Sequence, residues 1–322
     1  MKLFRNATEL QKFVTVDSTL TLQSLEPFEE EVKEEYLLDW IGAEQYEDLV
    51  TNFDDLTSKQ KVLLPFVQRI IANFAVAYYL DVPISIGNSG AARIEGENEK
   101  TAYKYQVASA KQRLIESGWN AVERLISFLS QFESDYPLWS SEAKANSRGL
   151  IINSYKTFKR AYHVVNGRWV FEGLRPIMAD VELFTIMPTI GQTYYDALKA
   201  EILANTLTDE NKKALFYMQK AIAYLTIEQA IIQKKGTLHN NRFVFISQNA
   251  DDNTYQMDNA FGSSKKRNAH TMGNRYLAAL KTFLIENIAN YPDFATHHNA
   301  KVEKAAEKPY VAPKDKKIMG FF

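Results

Sequence analysis

The feature that most constrains this chain is that it is written twice. Leu25, Pro27, Val32, Ile41, Gly42, Tyr46 and Leu49 recur 149 positions later as Leu174, Pro176, Val181, Ile190, Gly191, Tyr195 and Leu198, with Phe28/Ile177 and Leu37/Ile186 as conservative companions. At an offset of 151, Leu56, Thr57, Lys61, Leu64, Gln68, Ile71 and Ala72 meet Leu207, Thr208, Lys212, Leu215, Gln219, Ile222 and Ala223. At 155, Leu125, Phe128, Leu129, Tyr136 and Pro137 meet Leu280, Phe283, Leu284, Tyr291 and Pro292. The offset grows only between matched blocks, as it does when loops gain residues while helices keep their length. A duplication fixes domain boundaries before any element is assigned, because matched apolar positions must serve equivalent cores. Copy one is therefore placed at residues 1–139 and copy two at 150–294. The polar, small-residue stretch 140–149 reads as a linker and 295–322 as a C-terminal tail.

Within each copy the pattern is helical. Asn6 or Asn153 opens a short element, with Glu9 as capping partner in copy one, and the Val/Thr-rich stretches 14–22 and 164–171 read as extended or loop. Ser24 caps a helix in which Leu25, Phe28, Val32, Tyr36 and Trp40 recur at spacings of 3 and 4, leaving Glu29, Glu30, Lys33 and Glu34 on the wet face. Gly42 and Gly191 end that helix, and a short one around Tyr46 and Leu49 follows. The next helix, about 58–80, carries Val62, Leu63, Phe66, Val67, Ile70, Ile71, Phe74 and Tyr78 and should form the buried centre, kinked at Pro65 where copy two has Phe216. Long loops follow, at 81–99 and about 234–266, the second containing the strand-like run Arg242–Ser247. Closing helices at about 101–132 and 272–290 end at Tyr-Pro. The expected fold class is all-α: two tandem helical bundles with long, partly β-hairpin loops and an extended tail.

Composition narrows the function classes. The 322 residues are 46% hydrophobic and 24% charged, enough for about two domains. Lys plus Arg is 38 against 39 Asp plus Glu, so there is no global footprint for wrapping nucleic acid. The absence of Cys excludes disulfides, thiolate nucleophiles and Cys-ligated zinc, and fits a reducing cytoplasm. The N-terminus has no secretory apolar run, and no stretch reaches the ~18 consecutive apolar residues of a membrane span, so a soluble protein is expected.

Little in the chain announces catalysis. Ile86-Gly87-Asn88-Ser89-Gly90 lacks the Gly-Lys-Ser/Thr of a phosphate loop and reads as a turn. His163, His239, His270, His297 and His298 form no metal-ligand spacing, and the acidic runs read as helix face and turn. No catalytic residue, metal or cofactor is assigned. Two features suggest partners instead. Lys265, Lys266 and Arg267 cluster in the second loop with Arg242, Phe243 and Phe245, and Arg93 lies in the first. The tail is solvated, then ends in Ile318, Met319, Phe321 and Phe322 behind Lys316 and Lys317, the composition of a docking peptide.

The patterns Asn6-Ala7-Thr8-Glu9-Leu10-Gln11-Lys12-Phe13, Leu25-Glu26-Pro27-Phe28 and Tyr36-Leu37-Leu38-Asp39-Trp40-Ile41-Gly42 resemble an uncharacterised family of structural proteins from phages and prophages of gut bacteria. The organisation is similar to the head-to-tail connector, or adaptor, proteins of tailed bacteriophages, here duplicated. The resemblance implies a virion structural protein of the neck, assembled in the host cytoplasm, with no enzymatic role and no membrane partner. It implies a homo-oligomeric ring, usually of twelve subunits, bridging the portal protein to tail or neck proteins; whether packaged DNA passes through the ring is left open. The other reading is a non-viral helical protein–protein interaction scaffold.

Overall fold

The computed structural model describes residues 2–16, 20–80, 84–87, 90–93, 104–163, 167–233, 236–239, 242–245 and 259–306. Copy one runs α1 (Ala7–Gln11), α2 (Leu22–Tyr36), α3 (Leu38–Ile41), α4 (Ala43–Thr51), α5 (Ser58–Tyr79), β1 (Ile84–Gly87), β2 (Gly90–Arg93), α6 (Lys104–Gln131) and α7 (Ser141–Arg148). Copy two runs α8 (Tyr155–Ala161), α9 (Arg168–Val181), α10 (Met187–Ile190), α11 (Gln192–Ala204), α12 (Asp209–Ile232), β3 (Gly236–His239), β4 (Arg242–Phe245), α13 (Asn259–Glu286) and α14 (Pro292–Ala306). The fold is all-α. Its β-structure among the described residues is one antiparallel two-stranded hairpin per copy, inserted between the two long helices.

The two copies bury separate but corresponding cores. Leu25, Val32, Ile41, Leu49, Ile71, Leu125 and Leu129 are buried in one, and Leu174, Val181, Ile190, Leu198, Ile222, Leu280 and Leu284 in the other. Polar contacts repeat with them. Thr57 and Thr208 cap the central helices by accepting from the N–H groups of Gln60 and Asn211, at 3.3 Å each. The Gln68 side-chain amide donates to the Leu3 carbonyl at 2.7 Å, and that of Gln219 to the Ile151 carbonyl at 3.4 Å, each tying the first segment of its copy to the central helix. The Tyr136 hydroxyl donates to the Lys59 carbonyl (3.0 Å) and that of Tyr291 to the Glu210 carbonyl (2.8 Å), so each Tyr-Pro end is pinned to the first turn of α5 or α12. One repeated contact was not apparent in the residue pattern. A Cβ on Gly118 would meet the Phe74 ring at 2.7 Å, and one on Gly273 would meet Leu225 at 2.7 Å. Both long-helix pairs thus cross closely at matched glycines.

Gly42 and Gly191 have φ of +82° and +92° with extended ψ, a region essentially reserved for glycine. A Cβ there would strike Ser140 Oγ at 2.8 Å or the His297 ring at 2.5 Å. The two corners therefore make room for the start of α7 and for α14. Shifted by 155, residues 141–148 fall at 296–303, inside α14, so both are the same element of the repeat. Each copy extends one helix further than its apolar matches indicate. The stretch read as a linker is helix α7, capped by Ser140 and packed through Ala143, Ser147 and Arg148. The stretch read as the start of the tail belongs to α14, anchored by buried Phe294.

Other local expectations are corrected. Thr21, not Ser24, caps α2, accepting from the Ser24 N–H at 3.2 Å. Ser154, not Asn153, caps α8. Residues 168–171, expected to be extended, are the first turn of α9. Glu29 is not on the wet face: it sits one turn after Leu25 on the core side and accepts from the Lys2 N–H at 2.8 and 2.9 Å. Helix α2 breaks at Leu37, whereas copy two passes the same point through a π-helical turn, 182–186. Helix α5 continues through Pro65, whose ring lies on the exposed side along with Val62. That helix is long and apolar enough to cross a membrane by length and composition, but 61% of its most apolar window is buried inside copy one, as the centre of a bundle requires. Helix α13 begins at Asn259, about thirteen residues before the expected start.

Candidate interaction surfaces

The most heavily built polar constellation in the molecule lies where the two copies meet, with α9 packed on α6, and α7 against α3 and α11. Arg168, at the first position of α9, is fully buried. Its Nη1 donates across the junction to Glu123 on α6, and its Nε donates to Glu172 one turn on, at 2.5 Å. The guanidinium lies 4.8 Å from the Trp40 ring centroid, and that of Arg175 lies 5.0 Å from it, so two cations of copy two rest on one indole of copy one. Arg175 also donates to the Asn146 carbonyl at 2.5 Å, and Arg148 Nη1 to the Leu203 carbonyl at 3.0 Å. Within copy one, the Trp139 indole N–H donates to the Trp40 carbonyl (2.9 Å), and Asn146 Nδ2 to the Asp39 carbonyl (3.2 Å), fixing α7 on α3. Glu133 receives Lys144 and Arg148, each at 2.9 Å. Burial opposes its ionisation, but these hydrogen bonds outweigh it and hold the carboxyl below its usual range.

A cavity of about 330 Å³ runs through this junction, bounded by Ile126, Ser130 and Ser147 of copy one and Ile202, Asn205 and Leu207 of copy two. Arg148 and Arg168 also line it, and each has one buried Nη2 without a hydrogen-bond partner. Close by in copy two, Glu182 is buried in the π-helical turn. It accepts from the Ile151 N–H (2.6 Å), Lys199 Nζ (3.0 Å) and the Tyr195 hydroxyl (3.1 Å), and burial pushes its carboxyl above the usual range despite these partners.

A second cavity in copy two, about 300 Å³, is mostly apolar and has nothing packed over it among the described residues. Thr189, Ile285, Phe294, His297 and Val302 line it, with Lys281, His298 and Lys301 at the same face. Ile285 and Val302 are 44% and 55% exposed. His297 Nε2 is buried and unpartnered, and burial lowers the ring's proton affinity. A third cavity, about 680 Å³, opens in copy one between Phe13, Val14, Leu20, Tyr79, Leu80 and Leu114. Among the described residues no group of three His, Asp or Glu side chains is placed to hold a metal ion.

The residues singled out from the sequence do not converge on one place. Lys265, Lys266 and Arg267 stand on α13 rather than in a loop, with Lys266 and Arg267 exposed and Ala269 buried beneath them. Arg93 ends β2, and Arg242, Phe243 and Phe245 lie on β4. The side chains of both hairpins lie outside the described part of the structure, as do Lys316, Lys317, Ile318, Met319, Phe321 and Phe322 altogether. Gly87 and Gly90 pair across the first hairpin; the expected turn at Asn88 and Ser89 lies outside the described residues. The junction residues Trp40, Glu123, Arg168 and Arg175 were not anticipated. A signal for them was present. At the 149 offset Arg168 and Arg175 replace Thr19 and Glu26, a change of charge on a helix that keeps Leu174, Pro176 and Val181.

A model of a protein family described as "Family of unknown function (DUF6712)" matches this chain twice, at residues 27–149 and 186–304. The first match ends one residue past α7 and the second within α14, in agreement with the extended copies seen in the fold. No curated protein and no solved structure matches the chain.

Proposed function

The chain belongs to the DUF6712 family and carries its domain twice, and from that premise we propose that it is a non-catalytic helical protein–protein interaction scaffold. The observation that carries this reading is the junction. A fully buried Arg168, held by carboxylates on either side and stacked on Trp40, locks two copies of one module in a fixed relation. Buried charge of this kind is a device for fixing geometry more than for gaining stability. A fixed pair of modules, each carrying a hairpin between its long helices, is suited to presenting two docking elements at a set spacing.

The assembly such a scaffold serves is, in our reading, the neck of a tailed bacteriophage, where this chain bridges portal and tail as a connector. Support for this part comes from the resemblance of the copy-one pattern around Leu25–Phe28 and Tyr36–Gly42 to phage structural proteins. The hairpins and the C-terminal residues 316–322 are the proposed contacts with portal, tail or DNA. The test is co-expression of the tagged chain with the products of neighbouring genes, followed by purification and mass spectrometry. Stoichiometric recovery of a portal or tail protein supports the neck. Recovery of other proteins alone keeps the scaffold and removes the neck, and a chain that captures nothing while turning over a substrate overturns both.

A further inference from the structure

The internal repeat says what should cover the open face of copy two. In copy one, the residues beneath copy two include Trp40, Ile126, Ser130, Asn146 and Ser147, drawn from α3, α6 and α7. Carried into copy two by the offsets of the matched blocks, 149 for the first and 155 for the rest, these positions become Thr189, Lys281, Ile285, Lys301 and Val302. All five line the same open cavity of about 300 Å³ on copy two. Among the described residues, one surface of the repeat is thus used inside the chain and left uncovered at its end, with Ile285 and Val302 exposed and His297 Nε2 lacking a partner.

We propose that this face seats a second copy of the chain, through α2 of that chain's copy one. Within the chain, the element seated on the face is α9, whose counterpart in copy one is α2. The charges have been exchanged to suit. At the inner junction the incoming helix brings Arg168 and Arg175 onto Trp40 and Glu123. At the open face the receiving surface is the basic one, with Lys281, His298 and Lys301 where copy one has Ile126, Ala143 and Asn146. On α2 the positions matching Glu172, Arg175 and Ala179 are Gln23, Glu26 and Glu30, all exposed, within a helix that also carries Glu31, Glu34 and Glu35. A basic receiving face and an acidic incoming helix favour this pairing and disfavour two like faces meeting. The contact is heterologous, so successive chains add head to tail and give a closed ring or an open filament according to the rotation per step.

This inference deepens the scaffold reading by naming the chain itself as one of the partners. It is tested with the full chain by sedimentation and light scattering across the micromolar range. The wild type should gain mass with concentration, more so at low salt. Ile285→Glu/Val302→Glu should remain monomeric with an unchanged thermal melt, since both side chains are exposed. Lys281→Glu/Lys301→Glu should also lose assembly, and adding Glu26→Lys/Glu30→Lys in the same chain should restore it. A wild type that stays monomeric throughout, or an Ile285→Glu/Val302→Glu variant that assembles like wild type, overturns the proposal. Failure of the charge reversal to rescue overturns α2 as the occupant. The two readings fail separately: a monomeric chain that still captures other proteins refutes self-assembly alone, whereas one that self-assembles but captures nothing else refutes the wider scaffold.

Discussion

Replacing Arg168 by Met tests whether the junction couples the two copies. The guanidinium is 0% exposed, bridges Glu123 and Glu172, and packs on Trp40 and Phe171 at 4.8 and 5.2 Å. Methionine fills much of the same space but leaves Glu123 without its cation, while Glu172 keeps Arg175 at 3.3 Å. Removing one partner of a buried ion pair costs about 3–5 kcal/mol, and a desolvated cation–π contact adds about 0.5–2 kcal/mol. The Glu123 and Glu172 side chains are 20% and 15% exposed and regain some hydration, which places the expected loss near the lower end, about 3 kcal/mol. Trp40, Trp119 and Trp139 report on copy one and Trp169 on copy two, so urea unfolding followed by fluorescence, with Trp169→Phe as the comparison, reads the copies separately. The wild type should unfold in one transition and Arg168→Met in two, as the copies uncouple. Arg168→Met/Glu123→Leu should recover part of the loss, because the orphaned carboxylate on the partner copy is gone. A single transition for Arg168→Met, displaced by less than about 0.5 kcal/mol, would refute the idea that this arginine holds the copies together.

Four further outcomes are expected. Gly42→Ala and Gly191→Ala should each lower stability by about 2 kcal/mol or more in thermal melts, since both sit at glycine-only backbone angles and their Cβ would strike Ser140 or His297. Gly118→Val and Gly273→Val should each cost about 1–3 kcal/mol by prising apart the close helix crossing against Phe74 or Leu225, and similar losses in both copies would show that the crossing is a property of the repeat. Glu182 has a folded-state pKa raised by burial, so its favourable contribution is complete below the unfolded value of about 4.5 and is lost as pH rises through the folded value. Glu182→Gln removes that dependence, and its stability relative to wild type should therefore improve steadily from acidic to neutral pH; a constant difference would contradict a perturbed Glu182. Deleting residues 315–322 should leave the melting temperature unchanged while reducing recovery of partner proteins, and loss of folding on truncation would remove the docking role of the tail.

What the sequence made legible was what local chemistry and the duplication encode. Val32 and Val181, and Ile71 and Ile222, are buried in corresponding cores because a matched apolar residue on a matched helix has one place to go. The glycine corners were visible because positive φ is a property of single residues. What stayed hidden depends on tertiary context. Ser140–Gly149 has a linker's composition, and only its packing on α3 and α11 reveals a helix. The first half of α13, with Gly262, two serines and a basic run, has weak helical preference of its own. Its pairing with α12, including Glu228 to His270 at 2.9 Å, supplies what propensity does not. Arg168 and Arg175 stay hidden because nothing near them in the chain announces the indole of Trp40; only the charge change against copy one marks them.

The fusion of two modules through α7 also governs how positions are counted in any larger complex. Because Ser141–Arg148 is at once the last helix of copy one and the covalent lead into copy two, the inner junction forms within one molecule and does not depend on protein concentration. In the head-to-tail assembly proposed above, N chains would display 2N modules in strict alternation, with every second link made by a peptide bond and the others by surface contact alone. A partner that recognises the hairpin of only one module encounters N sites, while one that recognises features common to both encounters 2N. In the assembly proposed above, divergence at Arg168, Arg175 and the Lys281/Lys301 face would let one chain offer two valencies, and dilution would break only every other link.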